Sequence, residues 1–269
     1  RCRMINSVLK AIDIISLFSL EEPRLSLTEI SRRLDLPKST AHNLLTTLHS
    51  RGFVERTEDD QYALGVAIIA RSQAVRVNVE LRDRAARLLR ELADASRESV
   101  YLTTLDGPQC LYIYAIESPR RLLARTAIGE RVPLHCTAVG KAILAHMPDA
   151  EVGRIAKTVG LSAFTSLTIT TVAELRKELE LTRKRGYSID REEHETGTYC
   201  IGGAILDSKS RPIGACSVSG VDPEIVGGRL GETSSWVMHT AQEVSRRMGY
   251  VPSSASQIVS RPQTTREKS

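Results

Sequence analysis

Two stretches carry side chains that could do chemistry. The first, Leu134-His135-Cys136-Thr137-Ala138-Val139-Gly140-Lys141, runs from a loop with Gly and Pro into a helix start built of small residues. The first backbone N–H groups of a helix have no partner within it and sit at the positive end of its dipole. Those of Ala138 and Val139 therefore offer a seat for a carboxylate. The second stretch, Asp190-Arg191-Glu192-Glu193-His194-Glu195-Thr196-Gly197-Thr198-Tyr199-Cys200, ends one strand in an acid and opens the next near Cys. Asp190 can accept a hydrogen bond from a ligand hydroxyl or hydrated carbonyl, and Cys200 can supply a weak S–H donor. The same residues admit plainer roles, with Asp190, Glu192 and Glu193 as solvated loop charge and Cys200 as buried filler. They also admit an enzyme, a small-molecule hydrolase or binding enzyme with Cys136 or Cys200 as nucleophile, His135 or His194 as base and Asp190 to orient it. No local nucleophile signature accompanies that set. As metal ligands, His135, Cys136, His194 and Cys200 match no standard spacing, so neither metal nor cofactor is expected.

The elements around these stretches set their geometry. Val100–Leu105 and Cys110–Ile116 alternate as strands do and flank Asp106-Gly107, a strong hairpin signal. A third strand is expected from Leu122 to Ala127, then a loop from Gly129 to Pro133. A helix follows from near Thr137 to His146, and a helical region comes after Pro148. Thr171 with Glu174 forms a capping box that opens a charged helix ending at Gly186. Tyr187–Asp190, Cys200–Leu206 and Ile213–Ser219 read as strands, and Asp222–Gly249 as largely helical. The sum is an antiparallel sheet with helices packed against it, an α+β domain over residues 79–250.

The N-terminal part has a different character. Ser26 and Glu29 make a capping box, and Leu27, Ile30 and Leu34 form one apolar stripe behind it. Asp35-Leu36-Pro37 breaks the stripe, and a second helix buries Ala41, Leu44, Leu45 and Leu48. Its outward face carries Ser39, Asn43 and Thr46, flanked by Thr40, His42 and Thr47. That face is polar, free of acids and suited to reading base edges in a major groove. Gly52 ends the helix, and Phe53–Arg56 and Gln61–Leu64 then form a hairpin around Glu58-Asp59-Asp60, as in a winged helix. Lys38, Arg56, Gln61 and Tyr62 are placed to reach phosphates or the minor groove. A first helix over residues 7–19 is expected, capped by Ser7, with Val8, Ala11, Ile12, Ile15 and Phe18 inward.

Whole-chain properties limit the alternatives. The 269 residues are 41% hydrophobic, with a formal net charge of +5. Nine Lys/Arg balance nine Asp/Glu in residues 1–65, whereas six arginines face two acids in residues 66–90. A neutral reading domain implies modest non-specific affinity per subunit, which dimeric binding would offset. The five cysteines (Cys2, Cys110, Cys136, Cys200, Cys216) include no CxxC pair, which suits a reducing cytoplasm. No run is long and apolar enough for a membrane span, and no apolar signal region opens the chain. The chain begins at Arg1 rather than Met, and the sequence leaves open whether residues or a tag are missing before it. The expected organisation is a winged helix-turn-helix over 1–65, a linker helix over 66–78, the α+β domain over 79–250 and a disordered Ser/Pro/Gln/Thr-rich tail over 251–269. The apolar residues of the linker helix serve either as a dimer seam or to pack on the domain behind.

Taken together, LTEISRRLDLPKSTAHNLLTTL, GFVER, YALG, PLHCTAVGKAILA, GYSIDREEHETGTYCIGGAI and SVSG, in that order and spacing, resemble the IclR family of bacterial transcriptional regulators. The likeness covers nearly all of residues 5–250. It implies a winged helix joined by a linker helix to a GAF/profilin-like effector domain, bound as a homodimer or homotetramer to double-stranded operator DNA. It further implies that a small organic or aromatic acid controls a catabolic or metabolic operon. The family's carboxylate-seating amides match Ala138 and Val139, and its polar ligand contacts match Asp190 and Cys200. Ala124, Val132 and Thr198 match pocket-lining positions that are larger and more apolar in glyoxylate-responsive members, which implies a roomier pocket. His42 and Asn43 stand where more basic residues are common, so the resemblance does not extend to the operator sequence.

Overall fold

The computed structural model describes residues 4–19, 22–72, 74–75, 78–118 and 128–251. The expected strand at 122–127, the pocket residue Ala124 and nearly all of the expected tail lie outside the described residues. The chain divides into two compact units, residues 1–78 and 79–269.

In the first unit, helices α1 (Asn6–Ser16), α2 (Leu27–Arg33) and α3 (Lys38–Ser50) enclose a core with strands β1 (Leu25–Ser26), β2 (Val54–Arg56) and β3 (Gln61–Leu64). The capping box forms: Ser26 Oγ accepts the Glu29 N–H at 3.2 Å, and Glu29 Oε2 accepts the Ser26 N–H at 3.3 Å. Strand β1, which the sequence did not announce, pairs with β3 through Leu25 and Tyr62, making the hairpin a three-stranded sheet. Helix α1 departs from expectation. Ile5, not Ser7, holds its cap position, and no side chain caps it. Val8 and Ile12 are about half exposed, and Ile14 is the fully buried residue, with Leu17 and Phe18 beside it. The helix carries two apolar stripes, and its contact with α3 selects the second. A short helix α4 (Ala67–Ser72) closes the unit.

A π-helical turn, Asn78–Arg82, leads into α5 (Asp83–Ser96) of the second unit. Its sheet has the order β6-β5-β4-β9-β8-β7, antiparallel throughout, from β4 (Ser99–Asp106), β5 (Gln109–Ile116), β6 (Arg131–Pro133), β7 (Ser188–Arg191), β8 (Tyr199–Leu206) and β9 (Pro212–Gly220). Strand β6 lies within the stretch read as a loop. It gains its strand character by pairing with β5, Val132 against Cys110. Helices α5 and α9 (Leu230–Arg247) touch each other and the sheet, and α6 (Ala138–Leu144) crosses β7, β8 and β9. Helices α7 (Asp149–Val159) and α8 (Val172–Arg185) pack outside α6.

Two adjacent glycines let helices approach both faces of β8. A Cβ on Gly202 would stand 2.6 Å from the Ala138 carbonyl of α6, and one on Gly203 would stand 2.8 Å from Ala241 of α9. Successive strand residues point to opposite faces, so this pair puts α6 and α9 on opposite sides. The core cluster on the α6 side runs from Tyr101, Cys110, Tyr112 and Val132 to Leu144, Val152, Ile155 and Leu175.

Candidate functional site

The outward face of α3 presents Lys38, Ser39, His42, Asn43 and Thr46 to solvent, with Thr40 half-buried. Ala41 and Leu45 lock the opposite face into the core. Thr46 Oγ1 donates to the His42 carbonyl at 2.8 Å, so its hydroxyl is left mainly as an acceptor. In the wing, Gln61 is half-buried and Arg56 is exposed but held by Asp60 at 2.6 Å. A phosphate would have to compete with that carboxylate. Tyr62 does not belong with them: it is 6% exposed, and its ring fills the core between the wing and the helices. Pairing with β1 turns this position inward, and that pairing is not legible locally.

The second set converges around the N-terminus of α6. Thr137 caps the helix: its Oγ1 accepts the Gly140 N–H at 3.1 Å, and Lys141 N makes the first helical bond back to the Thr137 carbonyl at 2.9 Å. The amides of Ala138 and Val139 lie in the first turn, before any i−4 carbonyl is available to them. On the sheet, Asp190 of β7 pairs with Cys200 of β8, which pairs with Ser219 of β9. Cys200 shares the parity of Gly202, so this row faces the α6 side. Cys200 Sγ donates to Ser219 Oγ at 3.1 Å. Val132 is buried on β6 in the same core cluster. Thr198 is buried before β8, and its hydroxyl donates to Glu195 at 3.2 Å.

Asp190 is no solvated loop charge. It is 3% exposed, and its Oδ1 accepts the Glu193 N–H at 2.8 Å. Burial pushes its carboxyl up to about 7; the Lys141 ammonium and the N–H groups of Glu193 and His194 pull it down, while the Glu193 charge adds to the rise. Glu193 is buried as well, and burial raises its pKa against the pull of Lys141. Lys141 is fully buried, bonds the Glu193 carboxylate and lies 3.8 Å from Glu178, which also bonds Arg185. Among the described residues, Glu193 Oε2 has no hydrogen-bond partner.

Sequence reasoning missed this lysine–glutamate pair, because 52 residues separate the two members. It also missed Ser219, together with Tyr101 and Tyr112, whose rings meet edge-on at 5.4 Å in the core cluster of Val132. The alternation of the strands was the available signal, but it assigns no face until register is known.

The enzyme arrangement is not assembled. Burial pushes the Cys136 thiol up to about 12, with the charges of Asp190 and Glu193 adding to the rise, so it has almost no thiolate at neutral pH. Burial lowers the His135 pKa and keeps the ring neutral, and its Nε2 donates to the Ser162 carbonyl at 3.0 Å. His194 stacks obliquely on Phe164 at 5.1 Å. Among the described residues, no cluster of three His, Cys, Asp or Glu side chains could hold a metal, and no helix is long and apolar enough to cross a membrane.

Comparison with known proteins identifies the family. Residues 7–58 match the IclR helix-turn-helix domain, and residues 73–246 match the bacterial transcriptional regulator IclR C-terminal domain. The chain is 32% identical over 248 residues to the HTH-type transcriptional regulator XynR of Escherichia coli K12, covering 92% of this chain and 98% of that protein. The crystal structure of the Thermotoga maritima IclR superposes with a TM-score of 0.77 at 33% identity, covering 92% of this chain and all of that one. An IclR homologue from Microbacterium hydrocarbonoxydans, solved with 4-hydroxybenzoate, shares the fold, with a TM-score of 0.82 at 19% identity over 90% of this chain and 98% of that one. These families and relatives are transcriptional regulators, not enzymes. The α+β chain, a helix-turn-helix unit followed by a C-terminal effector domain, belongs to the IclR family of bacterial transcriptional regulators.

Proposed function

We propose that the chain is a ligand-responsive regulator of a catabolic or metabolic operon, which changes its grip on double-stranded operator DNA when a small organic or aromatic acid occupies the α6-side pocket. The observation that carries this reading is the row Asp190, Cys200 and Ser219 facing the side from which α6 presents its first-turn amides. An acid docks its carboxylate on the N–H groups of Ala138 and Val139, while Asp190 and Cys200 meet its other polar end. Val132 and Thr198 line the space, and Ala124 joins them by family resemblance. The 4-hydroxybenzoate complex of a protein with this fold supports an aromatic acid as a candidate.

DNA is read by α3 through Ser39, Thr40, His42, Asn43 and Thr46, with Lys38, Arg56 and Gln61 on the backbone. A homodimer or homotetramer is the working species. Met4, Ile5, Val8, Leu9 and Ile12 give α1 and its entry an apolar face that is 38–72% exposed, and a second copy would cover it. Residues 66–78 serve as the linker, with Val66 and Ile69 exposed along it. The operation is cytoplasmic, where the operator is.

The test is a thermal-shift screen of small carboxylates that starts from 4-hydroxybenzoate, followed by mobility-shift assays on the upstream DNA of the chain's own gene. A ligand at about 100-fold above its Kd should stabilise the protein by about 2.7 kcal/mol. The reading fails if no acid shifts the melt, or if the acid that does leaves DNA retardation unchanged.

A further inference from the structure

The second unit has an opening away from the acid row. A cleft of about 170 Å³ lies between Leu144 of α6, Val152, Ile155 and Ala156 of α7, Leu175 of α8 and the turn at Pro108. Ala138, Val139, Asp190 and Cys200 do not line it. We propose that this cleft is a second ligand site, for a neutral, single-ring aromatic or similarly compact apolar molecule.

Size, charge and exposure each point to that class. A cavity of about 150 Å³ lined by Leu, Ile and Phe takes up benzene, so this volume suits one ring. No Lys, Arg, Asp or Glu is among the lining residues. A carboxylate would lose its hydration here without gaining a cation, which separates this class from the acids of the α6 amides. His135 is the one titratable side chain among the lining residues, burial lowers its pKa, and its imidazole already donates to the Ser162 carbonyl. The floor is the domain's own core, since Leu144, Val152, Ile155 and Leu175 all belong to the buried cluster. Core side chains are normally sealed over, but here the rim residues Val159 and Phe164 remain 47% and 48% exposed. An apolar ring would cover both kinds of surface at once. Gln109 and Ser162 leave room for one hydroxyl at the edge.

The walls of the cleft also bear on the acid site. Thr165 Oγ1 donates to the Glu192 carbonyl and Thr168 Oγ1 to the Glu193 carbonyl, each at 2.6 Å, which ties the loop after α7 to the segment following Asp190. The His135 bond to Ser162 ties the same loop to the residues that cap α6. A ring that shifts this loop therefore moves both sides of the acid site. Linkage then makes each ligand alter the affinity of the other by one common factor.

Toluene and phenol are the probes, followed by ligand-observed NMR and calorimetry on the full chain. Saturable binding is expected in wild type. It should weaken by about tenfold or more in Ala156→Met, which fills the cleft, and in Val159→Asp, which charges its rim. Val159 is exposed, so the second variant tests the site even if the first does not fold. Two results would overturn the proposal: no saturable binding up to the solubility of the probes, or equal binding by the folded cleft variants, which would put the ring elsewhere. Neither touches the carboxylate screen, so the two readings fail separately.

Discussion

Asp190→Asn isolates one buried proton. In the folded chain the Asp190 carboxyl titrates at about 7 instead of 3.8, chiefly because burial penalises its charged form. At about 1.4 kcal/mol per pH unit, that difference makes the ionised form cost the fold about 4 kcal/mol. The sign follows from proton counts. Between 3.8 and about 7 the folded state keeps a proton that the unfolded state releases, so stability falls as pH rises through this window and levels off above it. Asparagine has no such proton, and its side-chain oxygen can still accept the Glu193 N–H that Asp190 accepts now. The assay is urea unfolding followed by circular dichroism from pH 5 to pH 8. Over that range wild type should lose about 3 kcal/mol relative to the variant. His135, His146 and His194, lowered by burial, occur in both proteins and cancel in the difference, whereas Glu193, whose charge acts on Asp190, titrates together with it, so the difference reports that pair. Parallel profiles would refute the reasoning and show that Asp190 is ionised in the fold at pH 5.

Three further outcomes are expected. Asp190→Ala should weaken the identified acid by roughly tenfold to a hundredfold, the loss of a hydrogen bond to a ligand of about 1.5–3 kcal/mol, while unliganded operator binding holds; calorimetry with and without operator checks both, and unchanged acid affinity removes Asp190 from the site. Asn43→Ala should relax base preference at one operator position by about 1–3 kcal/mol, whereas Arg56→Ala should weaken all sequences alike; competition binding against single-base operator variants separates the two, and uniform loss from both would mean that α3 reads no base through Asn43. Lys141→Met strands the Glu193 carboxylate in the interior and should cost about 3–5 kcal/mol in denaturant unfolding, most of which Lys141→Met with Glu193→Leu should recover; a double variant no better than the single would show that the pair is not the source of the loss.

The sequence by itself determined what local chemistry can dictate. The Ser26–Glu29 box, the cap at Thr171, the turn at Gly107 and the stop at Gly186 each act over a few residues, and each forms. The order of motifs likewise identified the family before any coordinate. What only the tertiary structure decided was which of several compatible faces is used. Helix α1 has two apolar stripes, and contact with α3 selects Ile14 over Val8 and Ile12. Tyr62 reads in the sequence as a wing residue that faces DNA, and its pairing with β1 makes it a core residue. Strand β6 exists through its register with β5, and the row Asp190, Cys200, Ser219 through the registers of β7, β8 and β9. The pairing of Lys141 with Glu193 depends on α6 docking over those strands. Caps and turns are short-range because they satisfy neighbouring backbone groups. Register and docking join residues tens to more than a hundred positions apart, and their free energy comes from burying whole faces together, which no local window of sequence contains.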